Sequence, residues 1–240
     1  AASPIARNIT RQLTRALPDR APSFFFLDIR DKDGAACDAF LHDKVPDGRF
    51  ERVPMLRGRI VSMKGVPVER ITPPSDIAWV LNGDRGITYD DALPKGSHLV
   101  AGSWWPKDYA GPPLVSIEDG VAKGFGLAIG DPITVNVLGR NITARVANFR
   151  TVDWRSFGIN FVMVFSPNTF AGAPHTNLAT VATSPDGKGA TDAALMRRLA
   201  LDFPAVTAVR VKDALEAVNT IVAQLATAIR GASGLAIAAS

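Results

Sequence analysis

The chain carries one cysteine in 240 residues, Cys37. A single thiol excludes an internal disulfide framework and any metal site built from several cysteines, while leaving the compartment open. Histidine is nearly as scarce. His42, His98 and His175 lie far apart, none at the spacing of paired helix or hairpin ligands, so no metal and no cofactor are expected. Charge of one sign is also lacking. The 27 Lys and Arg are largely interspersed with 23 Asp and Glu, for a net charge of +4, whereas nucleic-acid binders concentrate their cations on one face; no nucleic-acid partner is expected. No run of about 18 apolar residues occurs, so no complete membrane-spanning helix is predicted. Residues 1–4 are not a basic stretch leading into an apolar core, so no signal peptide is expected there.

Familiar catalytic signatures are missing too. There is no GxxxxGK[ST] loop to cradle phosphates, and Gly124, Gly126 and Gly130 miss the GxGxxG spacing. No GxSxG elbow is present. Ser97 and His98 are neighbours, which points their side chains apart in a strand. The acid pairs Asp90-Asp91 and Glu118-Asp119 are adjacent rather than convergent, so a turn or a helix N-terminus accounts for them. No catalytic residue is nominated, and an enzyme is not expected.

What is present is a chain with 47% hydrophobic residues, enough for a real core. Ile5, Ile9, Leu13 and Leu17 predict a helix over 5–17. Arg7, Arg11 and Arg15 form a basic stripe on it, read as a solvated face or as a contact with an anionic membrane surface. A Phe-rich strand over 23–30, a turn at Asp33-Gly34, a helix over 35–41 with Cys37 as buried filler, and one or two strands over 49–66 follow. That order is compatible with a βαβ unit. Beyond Pro73-Pro74 and the turn cluster at 82–86 come short strands over 99–101, 114–117, 132–138 and 141–149. A hairpin turn is expected at Gly139-Arg140 and a short helix over 118–127. The end returns to mixed structure. Strands are expected over 160–165, 177–182 and 206–210, a helix start at Ser166-Pro167, and a helix over 191–203 with Asp192 as its cap. A long helix over 212–229 carries a heptad seam of Val211, Leu215, Val218, Val222, Leu225 and Ile229, with Asp213 and Glu216 as a capping pair. The two terminal helices either pair as an antiparallel stalk or pack on the sheet. Residues 232–240, uncharged and mostly small or apolar, look like the start of a membrane span.

Two local features are candidate contacts. Trp104 and Trp105 are adjacent, so in an extended segment one of them stands outside as an interface anchor, or else both fill a small core. Arg57 and Arg59 share one strand face and either meet an acidic partner or lipid head group, or pair across the sheet with acids.

Taken in order, the strings APSFFFLD (21–28), VPMLRGRI (53–60), Trp104-Trp105, VSIE (115–118) and VDWRSFGINFVMVF (152–165), with Ser166-Pro167 and Ala173-Pro174-His175-Thr176, resemble the first large periplasmic domain of the FtsX/MacB-like ABC transporter permeases, in the YbbP-type branch. The resemblance spans about residues 13–229. It implies an α+β, MacB-like periplasmic domain in which a βαβ-type subdomain (1–75 and 151–230, with terminal stalk helices) is interrupted by a smaller β-rich one (76–150), and 231–240 begin a transmembrane helix. It also implies a location in the periplasm, on the bacterial inner membrane, and a cytoplasmic ABC ATPase as partner of the full-length permease. The function implied is to couple ATP hydrolysis to periplasmic movement, for export or extraction of a hydrophobic or lipid-linked substrate, with a periplasmic protein as a further partner. The competing reading is a free-standing periplasmic module that binds a ligand or a protein.

Overall fold

The computed structural model describes residues 21–154, 158–183, 192–217, 220, 221 and 224. The helix expected over 5–17, the loop around 184–189 and the apolar tail 232–240 lie outside these residues. Of the heptad seam, Val211 is buried and Leu215 half-buried on a helical stretch, 211–217, while Val218, Val222, Leu225 and Ile229 fall outside the description. Asp213 accepts a bond from Arg210 Nε at 2.9 Å.

Strand β1 (Phe24–Arg30) buries Phe24, Phe26 and Ile29, with a bulge at Asp28, where φ is +61°. Helix α1 (Gly34–Lys44) puts Cys37 and Leu41 one turn apart on its inner face. Strand β2 (Arg49–Met63) is 15 residues long and is the spine of the molecule. Near the C-terminal end, β10 (Thr176–Ala182) leads to α2 and β11 (Thr207–Arg210). Here α2 is the helix Asp192–Asp202, which repeats the one-turn spacing with Leu195 and Leu199. The order in the sheet is β11-β1-β10-β2, every neighbour antiparallel. It follows that β1 and β2 run parallel with β10 between them, and β10 and β11 run parallel with β1 between them. Both crossovers are split βαβ units, the β-α-β-β-α-β arrangement of ferredoxin-like sheets. The expected βαβ opening is therefore corrected in one respect: β10, from far along the chain, separates its two strands. Both helices cover one face of this sheet, over a core of Phe24, Phe26, Cys37, Leu41, Ala179, Val181, Leu195 and Leu199.

Past Met55, β2 changes partners. Its second half pairs with β4 (Arg85–Tyr89) on one side and β7 (Pro132–Val137) on the other. From β4 the pairing runs to β9 (Met163–Phe165), β6 (Leu114–Glu118), β8 (Arg140–Thr151) and back to β7. The six strands close into a ring, which removes free edges from all of them. The ring draws on residues 56–165, more than the 76–150 expected for the insert. Side chains alternate inward, and Ile60, Ile87, Val115, Ile117, Ile133, Val135, Met163 and Phe165 fill its interior. A short helix, Asp119–Gly124, adds Val121 and Ala122 to that core. Among the described residues strand β5 (His98–Gly102) joins only β8 and ends the sheet. Strand β4 was not expected: the turn cluster at 82–86 runs straight into it.

The β7–β8 hairpin turns at Leu138-Gly139, one residue earlier than expected. Both have positive φ, +51° and +80°, and Val137 pairs with Arg140. That is the two-residue geometry whose twist matches the strands.

A third cluster joins the two parts. Trp105, Ile159, Phe161 and Val164 on the outside of the ring meet Leu178, Phe25, Leu27, Val53 and Met55 on the helix-free face of the sheet. No helix among the described residues is long and apolar enough to cross a membrane.

Candidate functional site

The tryptophan pair sits at this junction. Trp104 and Trp105 follow Gly102, whose φ of +78° turns the chain in from β5. Their rings lie 4.1 Å apart, tilted by 33°. Each indole has its polar edge satisfied, Trp104 Nε1 donating to Asp91 O at 2.9 Å and Trp105 Nε1 to Asp90 O at 2.8 Å. Trp105 is 4% exposed and Trp104 half-buried. The pair therefore fills a core and pins the 90–91 turn; neither ring stands out as a free anchor. Burial pushes the Asp90 carboxyl above its ordinary value, and its Oδ1 takes the Ala92 amide. Glu118 Oε2 caps the Asp119–Gly124 helix by accepting from Val121 N at 2.8 Å, and Asp119 pairs with Lys123. Turn and helix start thus account for both acid pairs.

Arg57 and Arg59 lie two residues apart on the outer side of the ring, both exposed. Directly opposite them are Gly86 and Asn136, not acids. Across the same wall, Thr134 and Thr143 bond at 2.8 Å and Asn136 donates to Asn141 at 2.7 Å. Among the described residues neither arginine is in an ion pair.

One charged side chain was not singled out by sequence reasoning. Arg150, on β8, is 1% exposed. Its guanidinium donates to Ser116 O (3.1 Å), Ser116 Oγ (3.2 Å), Val162 O (3.4 Å) and Phe161 O, and its buried Nε has no partner. Burial drives its pKa down to about 10, and nearby Glu118 opposes that only in part. It ties the segment carrying Phe161 to the ring wall. In sequence the only signal is a lone cation inside an apolar strand, which ordinarily marks the solvent side.

The histidines do not converge. His42 packs edge-on to Phe50, His98 is on β5, and His175 lies 3.4 Å from Asp31 and against Tyr89. Among the described residues no group of three or more His, Cys, Asp or Glu is placed to hold a metal. Cys37 is fully buried and its thiol is pushed up to about 11, chiefly by burial.

No family model matches the chain. Over 166 residues, 68% of its length, it is 30% identical to the uncharacterized ABC transporter permease YbbP of Escherichia coli (strain K12). The match spans 19% of that protein. Among solved structures, the periplasmic region of MacB from Actinobacillus actinomycetemcomitans is similar over 88% of this chain and 97% of that one, with a TM-score of 0.45 and 12% identity. The sequence match bears out the resemblance to a YbbP-type ABC transporter permease.

Proposed function

We propose that this relative of a YbbP-type permease is the extracytoplasmic domain of an ABC transporter permease, held at the bacterial inner membrane with its bulk in the periplasm. The observation that carries the reading is the closeness of Ser23 to Val211 and Val181 at one edge of the sheet. Val211 N donates to Ser23 O at 3.0 Å, and Ser23 N to Val181 O at 2.7 Å. The first and last described parts of the sheet thus adjoin, as a domain looped out between two consecutive membrane helices requires. Identity to a permease supports the same placement.

In this reading the ferredoxin-like sheet and the ring of strands are two units of a MacB-like domain, joined by the continuous strand β2 and by the Trp105–Phe161–Leu178 cluster. A cytoplasmic ATPase subunit, bound by the rest of the permease, drives the membrane helices, and the sheet passes the displacement to the ring. The work done is export or extraction of a hydrophobic or lipid-linked substrate. Rigid packing at the junction is what such transmission needs, because a packed interface passes on displacement instead of absorbing it.

The test is to purify the intact parent permease with its ATPase from membranes, with and without residues 21–217. The expected result is a complex that assembles in both forms but loses permease-dependent control of ATP turnover in the deleted one. Unchanged turnover and unchanged transport would count against coupling.

A further inference from the structure

The outer wall of the ring ends in a feature that the coupling reading does not use. Leu138 is the first turn residue of the β7–β8 hairpin and is 64% exposed. Its φ is +51°. A two-residue turn of this kind is ordinarily made by Asn, Asp or Gly at that position, because a side chain branching beyond Cβ gains nothing there and the left-handed backbone is disfavoured. Leu138 accepts that strain and yet contributes little to the core below it.

Its surroundings are cationic. Gly58 pairs with Val137, so Arg57 and Arg59 flank the base of the hairpin on the outer side of β2, whereas Arg140, opposite the inward Val137, belongs to the inner side at the ring's rim. All three arginines are exposed, and among the described residues none is in an ion pair. Gly86, opposite Arg57, offers no side chain to cover it. The wall between them is rigid and already satisfied within itself, through the Asn136–Asn141 and Thr134–Thr143 bonds.

We infer that the Leu138 hairpin is a docking tip for a partner protein that offers an apolar pocket rimmed by carboxylates. Leu138 fills the pocket, and the planar forks of Arg57 and Arg59 pair with the rim. Charge complementarity sets the sign of the partner. A convex tip with one leucine suits a protein pocket better than a bilayer, which is held by broad apolar faces. The inference stands on the hairpin and does not need the permease reading.

The experiment selects random twelve-residue peptides displayed on phage against the chain, and measures binding of the enriched peptides to variants. Enriched peptides are expected to place Asp or Glu beside apolar residues. Their affinity is expected to fall at least tenfold for Leu138→Asn and for Arg57→Glu/Arg59→Glu, but not for Lys107→Glu/Arg197→Glu, an equal charge change elsewhere. Leu138→Asn should also melt no lower than the parent, because Asn tolerates the left-handed turn. Absence of enrichment, peptides without acids, binding indifferent to these substitutions, or a lower melting point for Leu138→Asn would each overturn the inference. Binding of phosphatidylglycerol vesicles that is lost in Arg57→Glu/Arg59→Glu would overturn it in favour of an anionic bilayer.

Discussion

Replacing Arg150 by methionine tests whether its buried cation is a tie or a burden. Two opposed terms decide the sign. Its guanidinium serves acceptors from Ser116, Phe161 and Val162. Bonds from a charged donor are each worth about 1.5–3 kcal/mol, so three acceptor groups amount to roughly 6 kcal/mol. Against that stands the cost of keeping the charge in a site that is 1% exposed. The fall of its pKa from 12.5 to about 10 corresponds to about 3 kcal/mol. Tie exceeds burden, and Arg150→Met is expected to lose about 3 kcal/mol. Part of the Val162 carbonyl remains satisfied by Glu118 N, so the local damage should centre on Phe161. Urea unfolding of the chain reads the loss, and hydrogen exchange reads faster opening of 161–164. Buried ion pairs replaced by apolar groups often leave a protein as stable or more so. If Arg150→Met proves at least as stable as the parent, desolvation dominates and the tie is refuted.

Three further outcomes follow from the same packing. Cys37, fully buried with its thiol pushed up to about 11, should resist a thiol reagent such as dithionitrobenzoate in the folded chain at pH 8 and react once the chain is unfolded in urea. Burial raises the Glu51 carboxyl above 4.5, so the fold keeps its proton to a higher pH than the unfolded chain does. Stability from this group is full below pH 4.5 and is lost as pH rises through the folded value, so Glu51→Gln should stabilise at pH 7, with the gain vanishing below about pH 4.5 in urea titrations. Gly102→Ala should cost about 2 kcal/mol or more by thermal melting, because φ is +78° and the added methyl meets the Ala147 carbonyl.

Local pattern in the sequence reached the elements and stopped short of their arrangement. The Phe alternation of β1, the Cys37–Leu41 face of α1 and the period-two run of β7 are each written within a few residues, and the structure has them close to where they were expected. Strand β4 was lost because Gly83 and Gly86 read as a turn and only Ile87 offers a strong apolar signal. Strand order depends on β10 pairing between β1 and β2, a contact with no local trace. Closure of the ring needs β2 to serve two sheets, and that depends on its length and its bulge between Ile60 and Ser62. The same split holds for the candidate contacts. Trp104 and Trp105 were legible as an unusual adjacent pair, but whether one stood outside was left open until the bonds of both indoles to the 90–91 turn were seen. Arg57 and Arg59 were legible as a shared face, but their lack of opposing acids required the register. Arg150 was not legible: the bulge between Val115 and Ser116 in the β6–β8 pairing shifts the side-chain alternation relative to the neighbouring strand. Leu138 was missed by one residue, since Gly139 announces a turn without saying which neighbour shares it.

The claim that this chain faces the outside of the inner membrane is open to a direct measurement. In the intact parent permease, a Cys37→Ser background with Arg197→Cys on the exposed side of α2 places a single reporter on the folded domain. Cells with a permeabilised outer membrane are treated with a membrane-impermeant maleimide before lysis. The account predicts full labelling of position 197 in the unlysed cells. Labelling that appears only after the inner membrane is broken would contradict it.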